Sequence, residues 1–209
     1  HMDLPRSRKA LKKGKRIFDV VASSALLLLL APVFALIALS VRLGDGGGVI
    51  FRQQRVGRGG EPIEFLKFRS MVLDAEARRA ELEQLARDRG NDVLFKMSDD
   101  PRITRVGKFL RRYSLDELPQ LWNVLRGDMS LVGPRPALPQ EVEGYDTDAH
   151  RRLAVRPGIT GLWQVSGRSD LSWDDTVRLD LFYVDNWSFM QARAVVRTAR
   201  AVLASRGAY

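Results

Sequence analysis

VVASSALLLLLAPVFALIALSV, the stretch from Val20 to Val41, decides how this chain is built. Its roughly 22 residues carry no formal charge. At 1.5 Å rise per residue they make about 33 Å of helix, enough to cross the hydrocarbon core of a bilayer. A secretory signal fits poorly, because its apolar region is shorter and ends at a small-residue cleavage site before an exported domain. Pro32 sits in mid-segment, where it removes a backbone hydrogen bond and crowds the carbonyl of Leu28. Basic residues flank both ends: Arg6, Arg8, Lys9, Lys12, Lys13, Lys15 and Arg16 before it, Arg42, Arg52, Arg55 and Arg58 after it. A plain span carries its Lys and Arg excess on one side. A helix that bends at Ala31-Pro32 and returns to its entry face satisfies both flanks, with Ser23 and Ser24 placed to hold the bend. A Pro-kinked transmembrane helix is the alternative that the residues alone leave open.

The remainder of the 209 residues suffices for one domain with its own core. Lys and Arg number 34 against 25 Asp and Glu, a net charge of +9. Such an excess suits nucleic acid, an anionic membrane surface or phosphorylated substrates. Cysteine is absent, which excludes disulfides and thiolate metal sites. His1-Met2 reads as a cloning remnant, so His150 alone could serve a Ser-His-Asp system; it lies in a polar stretch with no nucleophile elbow and reads as a surface residue. Chemistry, if any, falls to carboxylates, Lys, Arg and a hard metal ion.

Downstream, the glycine-rich turn Gly44 to Gly48 leads into a short strand, Val49-Ile50-Phe51. A second turn from Gly57 to Pro62 precedes a strand from Ile63 to Phe68. No glycine pattern gives a Walker A loop or a dinucleotide fingerprint. Asp74 to Arg89 reads as a charged, solvated helix ended by Gly90. Arg102 to Tyr113 reads as a basic amphipathic helix with Ile103, Val106, Phe109, Leu110 and Tyr113 on one face, suited to a membrane surface or to covering a core. A helix from Ser172 to about Asp185 and a last one from about Phe189 to Ser205 complete the elements. The expected fold class is α+β and mostly helical: an N-terminal re-entrant membrane helix, interfacial amphipathic helices and a small number of short strands.

Three stretches can carry chemistry. In Arg111-Arg112-Tyr113-Ser114-Leu115-Asp116-Glu117-Leu118-Pro119-Gln120, Ser114 and Glu117 have the spacing of a capping box, although Pro119 sits awkwardly for a helix begun at Leu115. The same residues equally form a carboxylate pair between cations. One acid can attack phosphorus while the other positions a divalent ion or handles a proton. Magnesium binds through one or two carboxylates plus substrate phosphates, so no dedicated cage is required. Arg111, Arg112 and Lys67 supply positive charge for a diphosphate. In Gly133-Pro134-Arg135-Pro136, the flanking prolines stiffen the backbone that presents Arg135 to a phosphate, or else form a tight turn with an exposed arginine. From Arg156 to Arg168, Gly158 and Gly161 permit close backbone approach, with Trp163 and Gln164 as a flat face and an amide for uracil, or as parts of a hairpin.

Together these stretches resemble the monotopic phosphoglycosyl transferases, the bacterial sugar transferase family. The resemblance rests on Lys15-Arg16-Ile17-Phe18-Asp19, Ala31-Pro32, Phe65 to Met71, Ser114 to Asn123, Gly127 to Pro136 and Arg156 to Arg168, in that order over nearly the whole chain. It implies a re-entrant helix over residues 15–43 after a basic segment 1–14, a catalytic domain over 44–209, and an active site facing the cytoplasm at the bacterial inner membrane. It implies transfer of hexose-1-phosphate from a UDP-sugar to polyprenyl (undecaprenyl) phosphate with release of UMP, early in exopolysaccharide, O-antigen or glycoconjugate assembly. By the family pattern Asp116 is the nucleophile of a two-step reaction, and Glu117 joins it in binding Mg2+. Lys67, Arg111 and Arg135 match phosphate-contacting positions. By analogy, UDP-galactose or UDP-glucose is the favoured donor. Nucleic acid drops out of the partner set, and a homodimer stays open. The charged Asp74 to Arg89 segment matches the larger members, which carry further N-terminal domains. A non-catalytic basic binding module explains the charge but not two acids set among cations, and a polytopic subunit would need more apolar spans.

Overall fold

The computed structural model describes residues 6–77, 100–162, 164 and 172–186. Helix α1 (Arg6–Leu29) and helix α2 (Ala31–Asp45) meet at Leu30. Their axes, taken over Lys13–Leu29 and Ala31–Gly44, bend by 61°. The break falls at Leu30, one residue before the expected Ala31-Pro32, because Pro32 occupies the first turn of α2, where its missing N–H costs nothing. Ser23 takes no part in the bend, as its hydroxyl donates to the Asp19 carbonyl at 2.6 Å. Among the described residues no single helix is long and apolar enough to cross a membrane, whereas the bent pair passes by length and composition.

The helix pair has a mixed inner face and an apolar outer face. Asp19, Ser23, Ile37 and Val41 are buried against the domain, while Leu28, Leu29, Leu36 and Leu43 are each at least 66% exposed. The bent pair thus turns several large apolar side chains outward.

Strands β1 (Ile50–Val56) and β2 (Pro62–Phe68) form an antiparallel hairpin in register from Ile50 opposite Phe68 to Val56 opposite Pro62. The first strand runs longer than its short apolar signal, since its polar residues find cross-strand partners such as Arg52 with Glu64 at 2.7 Å. Helix α3 (Arg105–Arg112) begins three residues later than the amphipathic pattern. Ile103 is used in a bridge to Met71, Arg102 pairs with Asp100 at 2.7 Å, and Thr104 caps the helix by accepting from the Gly107 N–H. Leu110 on α3 is buried with Ile37, Val41 and Phe68. Phe109, expected on the same face, is 56% exposed.

Gly107 lets α3 lie directly on the backbone of Ser70. A Cβ there would stand 1.9 Å from the Ser70 carbonyl oxygen. Gly107→Ala should therefore destabilise by about 1–3 kcal/mol or more, as overpacking against backbone does, read as a lower midpoint in chemical unfolding. An unchanged midpoint would show that α3 can lift off β2 at no cost.

After α4 (Gln120–Arg126), strand β3 (Ser130–Val132) pairs in parallel with β4 (Gly158–Thr160). Short helices α5 (Pro139–Glu143) and α6 (Thr147–His150) fill the crossover. Leu121 and Val124 of α4, Met129, Leu131 and Val132 form the main core with Ile63, Phe65 and Tyr183. Helix α7 (Trp173–Asn186) closes it, where the Tyr183 hydroxyl donates to the Val132 carbonyl at 2.6 Å. The architecture is α+β, mostly helical with a few short strands. The segment beyond Ala77 toward Arg89 and the expected last helix lie outside the described residues.

Candidate active site

Ser114 decides how the two acids are presented. It adopts a left-handed backbone with φ 54°, reversing the chain as α3 ends, and its side chain caps nothing. The capping-box alternative therefore fails. Leu115–Glu117 instead form a single 3-10 turn, and Pro119 starts α4 as its N-cap. Asp116 is consequently buried at 7% exposure, while Glu117 stays half-buried beside it.

Lys67, projecting from β2, serves both acids. Its Nζ lies 2.9 Å from Glu117 Oε1 and 3.8 Å from Asp116 Oδ2. Burial raises the Asp116 carboxyl above the ordinary aspartate range, and Glu117 adds to the rise; Lys67 and Arg111 oppose it. Arg111 is held near by its Nε, which donates to Ser70 Oγ at 2.9 Å. The pair thus sets a desolvated carboxyl beside a half-solvated one under one shared ammonium.

Arg135 lies on an exposed point of a fastened loop. Pro134 and Pro136 on either side are buried. Gly133 N–H donates to the Thr160 carbonyl and Gly158 N–H to the Pro134 carbonyl, both at 2.8 Å. A Cβ on Gly158 would meet the Gly133 nitrogen at 2.0 Å, so the crossing of β3 and β4 requires glycine. This parallel pair stands at Gly158–Thr160 in place of the hairpin, one of the two alternatives for that stretch.

Two holding residues gave no signal of their role. Arg55 read only as a flanking cation, yet it is buried, donates to the Pro136 carbonyl at 3.2 Å and lies 5.4 Å over the Phe65 ring. Burial foremost, then Arg135, lowers its affinity for its proton, while Glu141 and Glu117 oppose this. Asn123, fully buried, accepts from the Leu66 N–H at 3.2 Å and donates to the Glu64 carbonyl at 2.6 Å. It thereby clamps α4 to the strand that carries Lys67.

Arg112 is not brought to the acids; its guanidinium is exposed and lies 5.7 Å over the Tyr113 ring. Helical geometry explains the split, since adjacent residues on α3 point about 100° apart. Gln164 donates to the Ile159 carbonyl at 3.4 Å, and Trp163 lies outside the described residues. His150 is exposed, its Nδ1 2.9 Å from the Asp146 carbonyl.

Comparison with known proteins decides what this cluster belongs to. The family profile described as bacterial sugar transferase matches residues 10–205. The chain belongs to that family. Among relatives of this bacterial sugar transferase, the exopolysaccharide production protein ExoY of Rhizobium meliloti is 46% identical over 199 residues, covering 94% of this chain and 88% of the relative. The undecaprenyl-phosphate galactose phosphotransferase of Salmonella typhimurium is 47% identical over 199 residues, 93% of this chain but 41% of its own length. The UDP-glucose:undecaprenyl-phosphate glucose-1-phosphate transferase of Caulobacter vibrioides is 40% identical over 216 residues, 98% of this chain and 75% of its own. The sugar transferase thus spans most of some relatives and less than half of others. The resemblance drawn from the ordered motifs holds at the level of family and enzyme class.

Proposed function

We propose that this transferase moves a hexose-1-phosphate from a UDP-sugar to undecaprenyl phosphate, releasing UMP. The observation that carries this reading is the buried Asp116 beside Glu117 under the shared Lys67 ammonium. The printed activities of the Salmonella and Caulobacter relatives support the donor and acceptor classes, with galactose and glucose as first candidates.

In the proposed first step an Asp116 carboxylate oxygen attacks the sugar-linked phosphorus. An O–P bond forms, the phosphoanhydride bond breaks, and its electron pair leaves on UMP. In the second step a phosphate oxygen of the lipid carrier attacks the same phosphorus. The acyl phosphate breaks, Asp116 is regenerated, and the product is a polyprenyl diphosphate sugar. Lys67 neutralises charge on the acids and phosphates, and Arg111 and Arg135 supply further cationic contacts.

The donor set suits magnesium: two neighbouring carboxylates, with no group of three or more His, Asp or Glu ligands among the described residues, matches an ion completed by phosphate oxygens. Bound at Asp116 and Glu117, Mg2+ would neutralise the diphosphate. The bent α1–α2 pair, with its exposed leucines, is proposed as a re-entrant anchor in the bacterial inner membrane, the active site facing the cytoplasm.

The test is UMP release from a panel of UDP-sugars in detergent with undecaprenyl phosphate and magnesium. Release that depends on lipid supports the reading; no release from any donor by folded protein overturns it. Arg55→Ala should lower kcat/KM in this assay by about 10–100-fold, the scale of a misplaced phosphate contact, because the Arg135 loop loses its tie at Pro136. Unaltered kinetics would show that the prolines hold the loop unaided.

A further inference from the structure

A second concave site lies apart from the carboxylate cluster and shares no lining residue with it. It opens between the middle of α1, the β1–β2 turn, β3 and the approach to β4, and has a volume of about 90 Å³. Since one water needs about 10–15 Å³ on this measure, the cleft accommodates a group of several heavy atoms. Lys15, Arg16, Arg58 and Arg156 line it, against one acid, Asp19. Four cations less one anion leave +3 around a small cavity.

The protein does not cancel this charge from within. Asp19 is shared between Lys15 Nζ and the Leu131 N–H, each at 3.2 Å. Arg16 donates to the Val124 and Leu125 carbonyls at the end of α4, and Arg156 Nε donates to the Gly127 carbonyl at 2.7 Å. Carbonyls orient these guanidiniums, yet a helix end offers only about half a negative charge. Burial foremost, then neighbouring Arg16 and Arg58, lower the affinity of Arg156 for its proton. Lys15 is lowered chiefly by burial; Asp19 opposes this, while Arg156 and Arg16 add to it. Ser130 accepts from Lys15, which leaves its own O–H to donate. Lys15 Nζ spends its three donors on Asp19, Ser130 and the Val132 carbonyl at 3.3 Å and so contributes charge alone. That leaves the Arg58 and Arg156 guanidiniums and the Ser130 hydroxyl to donate to an oxyanion such as phosphate.

We propose that this cleft is a second binding site, for a phosphate group, distinct from the transferase centre. The phosphate arrives either on a lipid headgroup or free in solution. Lys15 and Arg16 immediately precede the apolar run from Val20, which puts headgroups within reach if α1–α2 enters the bilayer.

The test titrates inorganic phosphate calorimetrically into the full chain in uncharged micelles. Parent and Lys67→Ala proteins should bind alike at this site, and Arg58→Gln/Arg156→Gln should bind about tenfold or more weakly, the scale of one lost charge-assisted hydrogen bond. Arg58 is exposed, so Arg58→Gln alone keeps the fold and Arg58→Lys should retain binding. Undiminished binding in the double variant overturns the proposal, as does loss of all binding in Lys67→Ala, which would place the phosphate at the carboxylates. Doping the micelles with phosphatidic acid separates the sources: displaced phosphate assigns the headgroup, retained phosphate the soluble anion. Failure of the transferase reading would show in UMP release and leave this titration unmoved.

Discussion

Asp116→Asn should abolish UMP release, by roughly ten-thousandfold or more, the scale on which a covalent nucleophile is lost. Its melting temperature should hold or rise. Burial penalises the ionised carboxyl, so an isosteric neutral amide relieves a cost that the folded parent carries. Loss of activity with retained stability separates chemistry from folding. Residual turnover above a few percent would remove Asp116 from the nucleophile's role. The pH profile adds a finer check. An attacking Asp116 must be ionised, and its carboxyl titrates above the ordinary range, so the acid limb of kcat/KM should lie above that of a solvated aspartate. Glu117→Gln removes a neighbouring charge that raises it and should move the limb down. Lys67→Ala removes the cation that lowers it and should move the limb up. An acid limb indifferent to both changes would belong to another group.

The largest loss of stability is expected where α7 docks. Arg152 and Asp180 pair at 2.7 Å with side chains 6% and 1% exposed. Arg152 also lies over Trp173 and Tyr145, at 5.3 and 5.4 Å from their centroids. Arg152→Met leaves a buried carboxylate without its partner, which should cost about 3–5 kcal/mol, much of a domain's usual margin. Arg152→Met/Asp180→Leu should recover most of it, since an apolar pair of similar volume is commonly neutral or better. Guanidinium unfolding of the three variants reads both numbers; a single variant as stable as the parent would mean that Asp180 finds water. Burial outweighs the Arg152 pairing and pushes the Asp180 carboxyl up to about 6. A raised carboxyl binds its proton more tightly folded than unfolded, so Asp180 adds stability as pH falls through 6 toward 4. Arg152 opposes that rise, so Arg152→Met takes up the Asp180 proton at higher pH than the parent, and its deficit should shrink as pH falls toward 6 and level off below it.

What the sequence disclosed, and what it withheld, follows the range of each interaction. The apolar run and Pro32 announced a bent helix pair because hydropathy and proline geometry are local. The Asp116, Glu117 and Lys67 cluster was legible only through the ordered motifs, since its partners come from a strand and a turn 50 residues apart. Local spacing misled at Ser114: the capping-box pattern is present, but the left-handed turn that buries Asp116 is imposed by packing. Arg112 was grouped with Arg111 by adjacency, whereas the helix turns one toward Ser70 and the other over Tyr113. Arg55 and Asn123 carried no local signal at all, because their partners are a carbonyl at Pro136 and a strand edge at Glu64 and Leu66.

The ties of α1 to β3 also bear on how the protein is made. Asp19 receives the Leu131 N–H across 112 residues of chain. At ribosomal rates of about 5–20 residues per second, roughly 6 to 20 s separate the synthesis of these two partners. Throughout that interval the nascent chain displays its apolar run from Val20 to Val41 without the strand that will cover its polar flank. The order of synthesis therefore hands α1 and α2 to their surroundings before the domain can claim them, and the inner face with Lys15, Asp19 and Ser23 becomes the seam along which the late-made half docks.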